Sequence, residues 1–230
     1  MIIYSLIPAR SGSKRIKNKN LIKLKGKTIL ELAIRQSLRT KEIQKTFVST
    51  DSKKYQKISI KTGALAPYLR PKKISKDLST DLECFKDFLA QLKKLKITQP
   101  DIIVHLRPTY PTRSSDMISS CIKKFLKIKN IDSLRTICGL KNDIQKMWFM
   151  NNKNLLYNPV TKNNEQHSLP GQKLNKSYIQ INCIDVLLVK KTILKNSMTG
   201  KKIYGFEMKH NFDIDEFEDI KNINKLFVKK

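Results

Sequence analysis

The sequence predicts an α/β fold, a mostly parallel sheet with helices on both faces, and three observations carry that prediction. Short apolar runs of strand length alternate with segments whose apolar residues recur at helical spacing. Loops separate the runs, so strand, loop and helix follow one another in a β-α-β-α rhythm. Hydrophobic residues make up 40% of 230, enough for a sizeable core in one domain.

Residues 2–8 form the first apolar run and end in a loop, and residues 28–38 then repeat apolar side chains at helical spacing. Residues 47–50 (FVST) read as a second strand, followed by a polar helix over 52–61 that Gly63 ends. Residues 64–69 suggest a third strand. Thr80 and Asp81 can cap a helix running to about residue 96. Residues 101–106 (DIIVHL) are a buried-type strand, and the Pro-rich RPTYPTR loop follows. Ser115 or Asp116 caps the next helix, through 127, and 133–138 is another strand.

From about 140 to 175 the rhythm breaks into a polar, Asn-rich stretch with the only tryptophan, Trp148, and with Pro159, Pro170 and Gly171. A structureless loop of that length is unusual inside a compact domain. It reads instead as a small hairpin excursion, a lid or a dimer arm, within a single domain spanning 1–230. Residues 178–189 are strand-like throughout, 203–208 form a short strand, and FDIDEFEDIKNINKLF passes from a strand end into a closing helix.

Composition excludes several classes. No apolar run approaches the roughly 20 residues that span a bilayer, and the opening MIIYSLIPAR lacks a small-residue cleavage site, so neither a membrane span nor a signal peptide is expected. Cys84, Cys121, Cys138 and Cys183 lie far apart with no Cys-x-x-Cys pair, which fits reduced thiols in a cytoplasmic protein. The 47 basic residues against 19 acidic ones give +28, a charge that attracts polyanions. Only eight of the 47 are arginine, and the lysines scatter along the whole chain rather than forming a stripe. That scatter marks a solvated surface, and no nucleic-acid-reading motif accompanies it. Five arginines, Arg10, Arg15, Arg70, Arg107 and Arg113, cluster instead in segments with chemical character.

The first such segment runs from Ile7 through Arg15 to Lys19 and Asn20. A strand enters a loop of small residues, Ser11, Gly12 and Ser13, edged by Arg10, Lys14 and Lys19. Small residues let backbone N–H groups approach a phosphate, and the basic edges neutralise it. Neither G-x-x-x-x-G-K-[ST] nor G-x-G-x-x-G is present. Near the other end, Asp213 and Asp215 stand two apart in an extended segment, where both carboxylates can face one cation. Asp215 followed by Glu218 also resembles a capping-box helix start. Asp51, between a strand and a helix, reads equally as an N-cap. His105, His167 and His210 have no ligand spacing and read as structural or solvated. Trp148 and Phe149 read as core or interface, and no Ser-His-Asp or Cys-His spacing suggests a covalent nucleophile.

IPARSGSKRIKNKN with its following Gly26 turn and helix closely resembles the signature of the acylneuraminate cytidylyltransferases, the CMP-nonulosonate synthetases. VSTD (48–51), RPKKISKDLST (70–80), HLRPTYPTR (105–113) and FDIDEFED (212–219) match that family in order and spacing, so the resemblance covers nearly the whole chain. It implies a three-layer αβα, Rossmann-like fold of the nucleotide-diphospho-sugar transferase type. It also implies transfer of CMP from CTP to the anomeric hydroxyl of a sialic acid-like sugar, with loss of pyrophosphate, in surface glycan biosynthesis. Arg10, Ser11, Gly12, Ser13, Lys14, Lys19, Asn20, Arg70, Ser79 and Arg107 would then hold the nucleotide. Arg107, Thr109, Gln172 and Asn182 would meet the sugar, and Asp213 and Asp215 would hold Mg²⁺. Arg10, Lys14, Lys19 and Asp215 would carry the catalysis. A homodimer, no membrane and no specific nucleic acid are the implied associations.

The chain departs from the family pattern at three places. Arg107 stands where many members have Gln, Gly171 where a phosphate-binding Arg is expected, and Cys183 where an Asn-Gly pair would place Gly after Asn182. The alternatives are the same fold acting on the eight-carbon acid Kdo or another nucleotide and sugar, and a basic nucleic-acid-binding protein.

Overall fold

A computed structural model describes residues 1–140, 144–158, 160 and 164–228. In chain order it contains β1 (Ile3–Pro8), β2 (Lys23–Leu24), β3 (Lys27–Thr28), α1 (Ile29–Leu38), β4 (Lys45–Ser49), α2 (Lys53–Lys61), α3 (Asp81–Lys94) and β5 (Ile102–His105). There follow α4 (Ser115–Lys127), β6 (Ser133–Gly139), β7 (Phe149–Met150), β8 (Leu156–Tyr157), β9 (Tyr178–Leu188), β10 (Ile203–Met208) and α5 (Phe217–Val228). Six strands form one sheet in the order β10-β6-β9-β5-β1-β4. The strand β1 runs parallel to β4 and β5, whereas β9 is antiparallel to β5.

Alternation along the central strands builds the layers. Tyr4 and Leu6 of β1 and Phe47 of β4 face one side, where Phe85, Phe88 and Leu92 of α3 pack on them. The rings of Phe47 and Phe88 meet edge to face, their centroids 5.1 Å apart. Ser5 and Thr46 face the opposite side and both hydrogen-bond to Ser37 of α1, at 2.6 and 2.8 Å. The sheet therefore lies between helices, a three-layer αβα arrangement, as the rhythm of the sequence predicts. A smaller apolar cluster of Ile16, Leu24, Ile29, Ile214 and Ile223 joins the loop after β1 to the start of α1 and to α5.

The helix starts are decided locally. Thr28 and Thr80 close capping boxes with Glu31 and Glu83, and Ser52 caps α2. The helix α4 is capped by Ser114, one residue before the two candidates read from sequence. Residues 64–69 do not form the expected strand. Leu65 makes a single parallel bridge with Phe47, and Pro67 two residues later has no N–H to extend a ladder.

The chain divides into two compact units. The first comprises Met1–Thr136, Asn182–Phe206 and Phe212–Lys230, and the second Ile137–Ile181 and Glu207–Asn211. The second unit holds the β7–β8 hairpin, closed by an edge-to-face contact of Phe149 with Tyr157, and a contact between Trp148 and His167. Pro159 lies outside the described residues.

The box at Thr80 carries α3 and its first residue, Asp81, into place. Thr80→Ala should lower the unfolding free energy by about 1 kcal/mol, read as a lower denaturant midpoint at unchanged m-value. An unchanged midpoint would show that packing alone fixes the start of α3.

Candidate active site

The loop after β1 is held at both edges by side chains from elsewhere. Asp51 accepts hydrogen bonds from the backbone N–H and the hydroxyl of Ser11, both at 2.8 Å. Asn20 Nδ2 donates to the carbonyl of Arg10 at 3.0 Å. Asp51 therefore anchors the loop, and the helix cap read for it belongs to Ser52, whose hydroxyl accepts from the Tyr55 N–H. Between these anchors a side chain at Gly12 would meet nothing within 4 Å, so the backbone there is open to a ligand.

At the carboxyl ends of β1 and β5, where ligands of parallel α/β sheets bind, lies a cavity of about 310 Å³. It brings together Arg10, Ser13, Lys19, Asn20, Arg70, Ser79, Arg107 and Thr109, all singled out in the sequence. Arg70 is 6% exposed; its N–H donates to the Thr50 carbonyl and its Nε to the Ser75 hydroxyl. The Ser79 hydroxyl accepts from the Lys76 N–H. Lys14 does not line the cavity; it is exposed and pairs with Asp77 at 2.6 Å.

Arg107 lines the same wall with its fork already engaged. One Nη lies 2.6 Å from Asp81 and the other 3.2 Å from Asp185. Asp185 is 1% exposed, opposite His105 in the β5–β9 register, with His105 Nδ1 at 3.4 Å and Arg135 at 4.0 Å. Burial pushes the Asp185 carboxyl upward, but His105, Arg107 and Arg135 more than offset it and hold the group below the usual carboxylate range. Asp81, first residue of α3, is likewise raised by burial and brought below its ordinary value by His105, Arg107 and Arg70. His105 is shifted down by burial and by Arg107, against Asp81 and Asp185, so it is neutral at pH 7. Arg113, 2% exposed, donates to the carbonyls of Cys183 and Arg107, tying this loop to β9.

Asp81 and Asp185 escaped the sequence reading as site residues. Asp185 left a usable signal, a carboxylate inside the apolar run of residues 183–189, where burial demands a partner. Asp81 left none beyond its place at a helix start.

The acidic pair lies along a third edge. Ile214 is fully buried, and its N–H donates to the Thr109 carbonyl at 2.9 Å. On either side of Ile214, Asp213 is half-buried and Asp215 exposed. Asp213 accepts from Asn182 Nδ2 at 2.6 Å. Burial raises its carboxyl above the usual value, against Thr109 and Asn182, and Asp215 adds to the rise. Asp215 is half-exposed, 3.2 Å from Lys19 Nζ and 3.7 Å from Arg15. The helix start read for Asp215 and Glu218 is made instead by Asp219, which accepts the N–H groups of Asp215 and Glu216 at 2.8 Å each.

Among the described residues no group of three or more His, Cys, Asp or Glu side chains surrounds a possible metal position. Two neighbouring carboxylates, one raised by burial and further by the charge of the other, nonetheless fit a hard cation that takes its remaining ligands from phosphates and water. Gln172 is exposed in the short 3₁₀ turn Gly171–Lys173 of the second unit.

Residues 4–230 match the family model described as Cytidylyltransferase. The chain belongs to the cytidylyltransferase family. It is therefore a nucleotidyltransferase enzyme. This cytidylyltransferase is 28% identical over 176 residues to a pseudaminic acid cytidylyltransferase of Campylobacter jejuni, across 75% of this chain and 72% of that one. It is 31% identical over 123 residues to a CMP-N,N'-diacetyllegionaminic acid synthase of Legionella pneumophila, across 54% of this chain and 53% of the relative. That second match spans about half of each protein. In fold it is similar to a CMP:2-keto-3-deoxy-manno-octonic acid synthetase solved in complex with CTP. The TM-score is 0.72, with 14% identity, over 100% of this chain and 99% of that one.

The buried histidine gives the cytidylyltransferase an acid-side liability. The unfolded chain protonates His105 near pH 6.5, whereas the native state resists protonation because burial and Arg107 lower the value. Its contribution is therefore complete above about pH 7 and lost as pH falls through the unfolded value. Unfolding free energy should decline as pH falls below about 7, and His105→Gln should flatten that slope. Equal slopes in the two proteins would contradict the assignment.

Proposed function

We propose that this cytidylyltransferase transfers CMP from CTP to the anomeric hydroxyl of a nonulosonic acid and releases pyrophosphate. The observation that carries the reading is the cavity in which Arg10, Lys19, Asn20, Arg70 and Ser79 meet at the ends of β1 and β5. The relatives named for pseudaminic and legionaminic acids favour a nonulosonic acid over Kdo as the acceptor.

The chemistry asks chiefly for position and charge. The anomeric hydroxyl attacks the α-phosphorus, the bond to the β-phosphate oxygen breaks, and pyrophosphate leaves with the electron pair. Arg10, Lys14 and Lys19 supply fixed positive charge where negative charge grows on the leaving group. The loop held by Asp51 and Asn20 offers backbone N–H groups to the phosphates, and Arg70 and Ser79 hold the nucleotide. Thr109 and Asn182 support the acceptor side. Asp213 and Asp215 would hold Mg²⁺, which neutralises phosphate oxygens when bound. Lys19, beside Asp215, places a second cation against the same phosphates.

The wider expectations belong to the same proposal. Phe149, Met150, Leu155 and Leu156 of the second unit are exposed, an apolar surface suited to a homodimer arm. Four unpaired thiols and CTP as co-substrate fit a cytoplasmic enzyme of surface glycan biosynthesis. Among the described residues no helix is long and apolar enough to cross a membrane.

Pyrophosphate release should require Mg²⁺ when each of four nucleoside triphosphates is tested against nonulosonic acids and Kdo. The expected result is release with CTP and a nine-carbon acid, abolished by chelation. Release with Kdo alone would move the enzyme to the alternative acceptor, and silence from folded protein would overturn the reading. Asp215→Ala should lower turnover about 100-fold or more in a protein with an unchanged unfolding midpoint. Wild-type turnover in that variant would remove Asp215 from the metal site.

A further inference from the structure

We propose that Asp77 is a built-in competitor for the phosphate subsite. It is a positioning residue that holds Arg10 and Lys14 while substrate is absent, yields them to the phosphates of CTP, and reclaims them as pyrophosphate leaves. The inference rests on the functional reading above, because it assigns Arg10 and Lys14 to phosphate.

The Asp77 carboxylate lies 2.6 Å from Lys14 Nζ and 3.3 Å from Arg10 Nη1. Those are the two cations that directly flank Ser11, Gly12 and Ser13, and one carboxylate spans both. A carboxylate and a phosphate offer the same thing to such groups, paired anionic oxygens that accept charge-assisted hydrogen bonds. Asp77 thus occupies chemically the place a phosphate would take. Lys14 and Arg10 hold its carboxyl below the ordinary value, so it is charged throughout the neutral range.

Asp77 belongs to a turn that carries itself. The Ser79 N–H donates to the Lys76 carbonyl at 3.1 Å, and the Lys76 N–H donates back to the Ser79 hydroxyl at 3.0 Å. The Lys76 carbonyl also accepts from Arg10 Nη1. Asp77 is therefore not needed to close the turn; its carboxylate reaches out of it toward the loop after β1. Ser79 and Asp77 both line the cavity, so the turn is one of its walls.

Exposure separates this contact from the other arginine clamp of the site. The Arg10 and Asp77 side chains are about one-third exposed and Lys14 is 83% exposed. Ion pairs in such surroundings are weak and exchange readily. Asp185, which grips Arg107, is fully buried, so that pair cannot be traded for a substrate group without stranding a charge. The cavity thus has one arginine locked to carboxylates and one held only provisionally. Self-competition lowers affinity for triphosphate, but it lowers affinity for the departing pyrophosphate as well.

Calorimetric titration of the full chain with CTP and, separately, with pyrophosphate tests the role in wild type, Asp77→Asn and Asp77→Glu. Asn keeps the size and removes the charge. It should tighten both ligands by about three- to tenfold, the scale of one or two exposed ion pairs, with the gain shrinking in high salt. In turnover it should lower the KM for CTP and strengthen inhibition by pyrophosphate without raising kcat, and Glu should restore wild-type behaviour. Unchanged or weaker binding by Asp77→Asn, with wild type binding normally, would overturn the competitor role alone. Failure of wild type to bind either ligand would overturn the phosphate subsite and the role of Asp77 together.

Discussion

A carboxylate buried in the middle of a sheet sets the terms for the rest of this site. Asp185 is almost wholly inaccessible on β9, and an isolated charge there would cost several kcal/mol. It is tolerable because β5 presents His105 in register, the loop after β5 presents Arg107, and β6 presents Arg135. Arg107 then needs a second anion, and Asp81 at the start of α3 supplies it. One polar chain thus joins β9, β5, β6 and α3, and its exposed end forms a wall of the cavity at the ends of β1 and β5. The departure from Gln at this position acquires a physical meaning: Arg107 completes a charge balance before any substrate arrives.

The charge of +28 divides accordingly. Arg70 and Arg113 are buried and hold backbone or hydroxyl groups, and Arg107 holds two carboxylates. These arginines build the site as much as they serve ligands. The cations that the proposed reaction gives to phosphate are Arg10, Lys14 and Lys19, each now resting on a carboxylate, Asp77 or Asp215. Their partners lie at the surface, where ion pairs rearrange at little cost. Firm positioning and exchangeable charge are therefore assigned to different residues.

What the sequence made legible follows the range of the interactions involved. A capping box closes over three residues, so Thr80 could be placed from local pattern, and strand β5 from its apolar run. The spacing of Asp213 and Asp215 drew attention to that segment, but the burial of Ile214 between them came only with the fold. Contacts that join distant segments were not legible. Asp51 grips Ser11 from forty positions away, and Asp185 meets Arg107 across seventy-eight. Read locally, Asp51 becomes a cap and Asp185 merely an interruption in a strand. The helix start at 215–218 slipped by one because Asp219 and Glu218 are both adequate capping acids, and only the fold chooses between them.

The central claim is that the locked arginine shapes the cavity while the loosely paired cations receive the phosphates. A structure of the full chain bound to CTP tests it most directly. The account predicts phosphate oxygens on Arg10, Lys14 and Lys19, Asp77 displaced from its two cations, and Arg107 still seated between Asp81 and Asp185. Arg107 leaving those carboxylates to grip a phosphate, with Arg10 and Lys14 still on Asp77, would contradict it.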